Sequence, residues 1–149
     1  MAVRRPMLIT AGIVAFLVVV VFVGRWLQTE SRERDAVLTV LDAEARGDAR
    51  AMLGLLAPSC RADPRCVATA QLAARRARRP GSPKIIAYDS KTAYALGAAT
   101  GVTRVAWTIV DHGLPVVQCV LVHRGGSAIS GRTVSLLRIS APIGNQATC

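Results

Sequence analysis

Seventeen consecutive residues, Met7 to Val23, carry no charge, and only Thr10 and Gly12 interrupt their apolar side chains. A run of this kind must be taken out of water, and its length decides how. As a helix it spans about 25 Å at ~1.5 Å per residue, and about 31 Å once Gly24 to Leu27 are added. A bilayer core is ~30 Å thick. Arg25 can extend its charge outward from that boundary, and Trp26 suits the headgroup level. Arg4 and Arg5 also form the basic leader of a signal peptide. The apolar run, however, exceeds the usual ~7–15 residues, and Val23-Gly24-Arg25 is a poor small-residue cleavage site. The expectation is a cytoplasmic tail over residues 1–6, a transmembrane helix over 7–27, a solvated stalk over 28–35 and an extracytoplasmic domain over 36–149.

The orientation rests on the cysteines. Basic residues flank the run on both sides, so their count does not place the short tail. Cys60, Cys66, Cys119 and Cys149 all follow the run, are even in number and lack metal-type spacing, as in an exported, oxidised domain. Four cysteines allow three pairings; Cys60–Cys66 across a turn and Cys119–Cys149 tying down the tail are the pairing expected. Five residues separate the first pair, and only His112 and His123 could add soft ligands, a poor zinc set. No Cys-x-x-Cys redox motif exists.

The 149 residues fit one domain and exclude eight-stranded α/β barrels and doubly wound sheets. Helical spacing appears at Val37, Leu38, Val40 and Leu41, then again at Ala51, Met52, Leu55 and Leu56. Gly47 can end the first of these helices and Asp48 can cap the second. Asp63-Pro64 reads as a turn and Val67 to Arg79 as a third helix, stopped by Pro80-Gly81-Ser82-Pro83. The pattern then changes to period two. Strands are expected at Ile85–Tyr88, Ala93–Leu96, Val102–Val110, Pro115–His123 and Arg132–Ser140, with turns at Asp111-His112-Gly113 and Arg124-Gly125-Gly126-Ser127. The fold class is α+β: about three helices packed on an antiparallel meander.

Ala45-Arg46-Gly47-Asp48-Ala49-Arg50-Ala51-Met52-Leu53, followed by long antiparallel strands, resembles the nuclear transport factor 2-like superfamily, which includes SnoaL-like proteins. The likeness covers roughly residues 34–141 and implies a curved, cone-like sheet around a helical layer, sometimes enclosing a cavity. The Cys loop and third helix between Pro58 and Pro80 depart from the SnoaL pattern. A single anchor followed by such a domain resembles bacterial envelope proteins, including accessory subunits of secretion and conjugation machines.

No phosphate-binding glycine loop, nucleophile elbow or paired carboxylates are present, and no catalytic residue, cofactor or metal site is assigned. Asp111 and His112 suit a turn, His123 a strand end, and Asp89 has no second group at defined spacing. The net charge of +10 favours polyanions. Its densest cluster, Arg75, Arg76, Arg78 and Arg79 with Lys84 nearby, suits a helix carboxyl end left in water. The same cluster could meet anionic lipid, a cell-wall polymer or an acidic protein; nucleic acid is the weakest partner, because no stacking aromatics interleave with it. The first functional expectation is a non-catalytic envelope protein that binds other proteins, a second copy included. The alternative is a small-molecule module or SnoaL-type enzyme, with Tyr88, Tyr94 and Trp107 as cavity wall.

Overall fold

The computed structural model describes residues 4–92, 97–109, 112–127 and 131–149. Helices come first: α1 (Arg4–Ala45), α2 (Ala49–Leu55), α3 (Pro58–Ala62) and α4 (Pro64–Arg76). Four strands follow, β1 (Pro83–Ser90), β2 (Ala99–Ile109), β3 (His112–Ser127) and β4 (Gly131–Ile139). They form one antiparallel sheet in chain order, β1-β2-β3-β4. The α+β class and the meander are therefore as expected. The strand expected at Ala93–Leu96, together with Tyr94 and Asp111, lies outside the described residues.

The apolar run and the first domain helix are one element. α1 runs unbroken for 42 residues, about 63 Å at ~1.5 Å per residue. In its first half the described apolar side chains are exposed, Phe16 to 67% and Val18 to 62%, and by length and composition this part could cross a membrane. The second half belongs to the core. Val37, Val40, Leu41, Ala43 and Ala45 are buried there. The solvated stalk expected over 28–35 is corrected by this geometry, because Thr29 and Glu33 are already buried.

Local chemistry sets the helix ends. Gly47, at φ +74°, closes α1: its N–H donates to Glu44 O and the Asp48 N–H to Ala43 O. A side chain at Gly47 would also collide with Arg78. Asp48 then caps α2 by accepting from the Ala51 N–H. The Asp63-Pro64 turn is likewise a helix start. Asp63 accepts from the Arg65 N–H and Pro64 opens α4, because proline's missing donor costs nothing in a first turn. The third helix accordingly begins before Val67, and it ends at Arg76 rather than Arg79. Cys66, Ala70, Ala73 and Ala74 face inward from α4 and Ala77 from its C-cap, small residues that let the helix approach closely.

The sheet packs its inner face on α1. Thr103, Val105, Trp107 and Ile109 of β2 alternate inward, as do Val116, Gln118, Val120, Val122 and Arg124 of β3. That period places Arg124 inside the strand. The expected turn at Arg124–Ser127 is corrected, since β3 stays paired with β4 as far as Ser127↔Gly131. His112, expected in the other turn, belongs to β3 and pairs with Ile109.

The outer face is covered at its centre by the C-terminal tail. Arg104 and Cys119 are cross-strand partners on that face. Arg104 donates to the carbonyls of Asn145 and Ala147, Cys119 bonds Cys149, and the Ile143 N–H donates to Val117 O. Beneath the tail, Ala106 and Val117 are buried. The second disulfide joins Cys60 to Cys66, so the expected pairing is the one observed. In the chain-entropy account these bridges contribute roughly 2 and 4 kcal/mol, the larger from the longer loop. Replacing Cys119 and Cys149 by Ser should therefore lower stability by about 2–4 kcal/mol, and hydrogen exchange at residues 142–148 should rise with it.

Candidate functional site

Among the described residues, polar groups inside this fold converge most densely around Glu33. In α1 the residues Thr29, Glu33, Val37, Val40 and Glu44 recur at helical spacing on the face that meets the sheet, and all five are buried. Glu33 is 0% exposed and Arg124 is 1% exposed. Arg124 Nε donates to Glu33 Oε2 over 2.6 Å, with Nη2 beside the same oxygen. The other carboxylate oxygen accepts from the Tyr88 hydroxyl, from Thr103 at 2.9 Å and from Ser90 at 3.1 Å. Thr92 reaches Oε2 at 3.5 Å. The Arg34 guanidinium covers the Tyr88 ring, 5.0 Å from its centroid.

Charge and burial oppose each other at this carboxylate. Burial alone pushes the Glu33 carboxyl up, but hydrogen bonds from Tyr88, Arg124 and Thr103, with the Arg124 charge, hold it below the usual range. Burial, and then the neighbouring carboxylate, raise the Tyr88 phenol, which therefore stays a donor. The result is an ionised, fully ligated carboxylate joining α1 to three strands. Its lone pairs are occupied, so it has no capacity left for a substrate proton.

Glu44, about 16 Å further along α1 at ~1.5 Å per residue, is the counterpart with the opposite bias. Gln118 Nε2 donates to Glu44 Oε1 at 2.6 Å and to Ser140 O at 3.0 Å. Gln118 Oε1 accepts from Trp107 Nε1 at 2.7 Å. Glu44 Oε2 is buried with no protein partner. Burial therefore dominates, and the carboxyl is raised to about 7 despite the Gln118 hydrogen bond.

Tyr88 and Trp107, expected as cavity wall, thus spend their polar atoms on Glu33 and Gln118. Trp107 is fully buried in the same cluster as Val37, Val40, Leu41, Val120 and Leu136. Among the described residues, no three His, Cys, Asp or Glu side chains converge on a metal position.

No family model, curated protein or solved structure matches this chain. Its functional reading must therefore come from its own surface.

The arginine cluster divides in two. Arg79 is a structural clamp, its N–H donating to Ala45 O and its Nη1 to Leu114 O at 2.7 Å. Arg75, Arg76, Arg78 and Lys84 are exposed. The bond to Ala45 fixes this cluster at the far end of α1, about 27 Å beyond Leu27. Beside it, α2 and α4 leave an open groove of about 620 Å3. Ala49, Leu53, Gly54 and Val67 make its apolar part, and Arg50, Arg61 and Gln71 its polar border.

Sequence reasoning missed Glu33, Glu44, Gln118 and Arg124. The signal was there for the glutamates, which occupy both ends of the apolar stripe containing Val37 and Val40. For Arg124, extending the alternation Val116-Gln118-Val120-Val122 by one step finds it; Gly125-Gly126 hid that step by suggesting a turn.

Removing one member of the buried ion pair leaves the other charge without compensation, at a cost of about 3–5 kcal/mol. Arg124→Met and Glu33→Met should each cost that much, while the double variant should recover most of the loss. Thermal unfolding of the detergent-solubilised full chain would measure this cycle. Glu44 makes a pH prediction of known sign. Its folded pKa lies above 4.5, so its contribution is complete below pH 4.5 and is lost as pH rises through about 7. Glu44→Gln should flatten the slope between those values, removing a loss on the order of 3 kcal/mol at about 1.4 kcal/mol per pH unit. Unfolding curves from pH 4 to 9 would check it.

Proposed function

We propose that this chain is a single-pass, membrane-anchored accessory protein of a bacterial cell envelope, non-catalytic, whose extracytoplasmic domain works by binding another protein. The observation that carries the reading is α1 itself. One helix begins with an apolar stretch that no protein surface covers and ends as the central helix of a disulfide-bonded core. With lipid around residues 7–27, the domain is held rigidly above the bilayer on the oxidising side. A freely swivelling module would have a flexible linker after Leu27; this chain has continuous helix and a buried ion pair six residues later.

The chemistry inside the domain supports binding rather than catalysis. Glu33 and Arg124 neutralise each other, and Tyr88, Thr103 and Gln118 are engaged with them or with Glu44. An active site keeps a base or nucleophile within reach of substrate, whereas these groups lie between packed layers. A relation to the nuclear transport factor 2-like superfamily fits the helix–Gly47-Asp48–helix opening and the later antiparallel sheet. The support for that relation is the order of elements, with the Cys60–Cys66 loop and α4 as departures.

The topology and the binding are tested together. Protease added to cells whose outer layers have been opened should remove the domain and leave a membrane-bound fragment. Cross-linking in intact cells should yield discrete species heavier than the monomer. A domain that stays protected until the membrane is lysed would reverse the orientation. A lone monomer with no cross-linked product would remove the binding role.

A further inference from the structure

The groove between α2 and α4 combines an apolar floor with unneutralised positive charge. Leu53 and Val67 are half-buried there, and Gly54 presents open space where a Cβ would stand. Arg50 and Arg61 border it, exposed and without a carboxylate among their described contacts. On α4 the groove residues Val67 and Gln71 are followed, one turn on, by Arg75, whose Nε donates to Gln71 O. The groove therefore opens toward the arginine cluster, and the positive border continues beyond it.

The charge of the rest of the molecule decides what can enter. The chain has 9 acidic residues. Glu33 and Glu44 are buried, Asp48 and Asp63 cap helices, and Asp42 pairs with Arg46. A second copy would bring its own charge of +10, so its approach to these arginines is opposed by like charge. The hydrocarbon of the parent membrane is also out of reach. Leu55, Leu56 and Ala57, at the near end of α2, lie beside Ala36 and Thr39 of α1. The groove thus stands more than about 12 Å beyond Leu27, clear of the hydrocarbon core and of the ~5–7 Å headgroup layer outside it, so its apolar floor is not filled by lipid chains.

We infer that the α2–α4 groove is a docking site for an acidic, amphipathic segment of another envelope protein. Apolar side chains of that segment would settle against Leu53, Gly54 and Val67, and its carboxylates would pair with Arg50, Arg61 and Arg75. Guanidinium groups suit the carboxylate role because they bind both oxygens in one plane. This inference rests on the protein-binding reading above and names the surface and the chemistry that serve it.

The test uses the full chain in zwitterionic nanodiscs and a fluorescent helical peptide of about 14 residues, built from Leu and Glu at helical spacing. It should bind with a steep salt dependence. A peptide with Leu replaced by Ser and one with Glu replaced by Lys should each bind at least about tenfold more weakly. Arg50→Glu with Arg61→Glu should weaken binding by a similar factor. Gly54 is exposed, with open space around the position of a Cβ, so Gly54→Trp should block binding while leaving thermal stability unchanged. Equal binding of the charge-only peptide, insensitivity to both variants, or groove-dependent capture of phosphatidylglycerol vesicles in place of the peptide would each overturn the inference. In cells, a photo-cross-linker at Gly54 should give a protein adduct that is lost with Arg50→Glu and Arg61→Glu; one at Ile86, exposed on β1, should not. Adducts at Ile86 alone would sink the groove and leave the protein-binding reading standing. Adducts at neither position would sink both.

Discussion

A single ion pair without solvent decides how this molecule holds together. Glu33 sits on the helix, Arg124 sits 91 residues later on β3, and neither has meaningful exposure. Taking two charges out of water costs several kcal/mol per ion before any attraction is counted. The fold offsets that cost by saturating the carboxylate with Tyr88, Ser90, Thr92 and Thr103. These come from β1, the residues just after it, and β2, so the carboxylate is complete only when the sheet is in register. A slip of one residue in β2 would turn Thr103 to the opposite face and bring Arg104 in its place. The pair thus specifies register as well as attachment, a role that Val or Leu at the same positions could not fill.

Glu44 shows what the same chemistry does without a cation. Both glutamates lie on one helical stripe and face the same sheet, yet their protonation is pushed in opposite directions. Near Glu33 the sheet supplies a guanidinium and hydroxyl donors; near Glu44 it supplies one amide. The domain is therefore asymmetric along α1. Its end nearest the apolar half of α1 is tied by charge and gains nothing from added protons, while its far end is tied by Gln118 and is tightest when Glu44 is protonated. Acidification to about pH 5 strengthens the far attachment and leaves the near one intact, because the Glu33 carboxyl titrates below its ordinary range.

Much of this architecture was legible in the sequence because it rests on local rules. Gly47-Asp48 announced a helix end and a helix start, and the period-two runs announced the meander. The cysteine positions agreed with the observed bridges: one pair spans six residues, and once it closes, Cys119 and Cys149 are left for each other. What failed was judging polar residues one at a time. The alternating charges from Glu30 to Asp35 looked solvated, since nothing local tells that Glu33 faces an arginine 91 positions away. Burial of a charge is a long-range property, and its partner was concealed by neighbouring glycines that lie inside a strand.

The surface follows from what the interior consumes. α1 and the helices cover one face of the sheet, and the tail from Ala141 to Cys149, fixed by Arg104 and the second disulfide, crosses the centre of the other. With 19 basic residues to 9 acidic, and Glu33 and Glu44 buried, the exterior is left with arginine in excess. Both faces of the central strands are therefore occupied before any partner arrives. The helical layer is different: α2 and α4 are short, they pack on α1 through Met52 and alanines, and the groove between them stays open. Small residues allow the helices to approach α1 but not to fill the space between themselves. Close packing on one side of the layer thereby generates the concavity on the other.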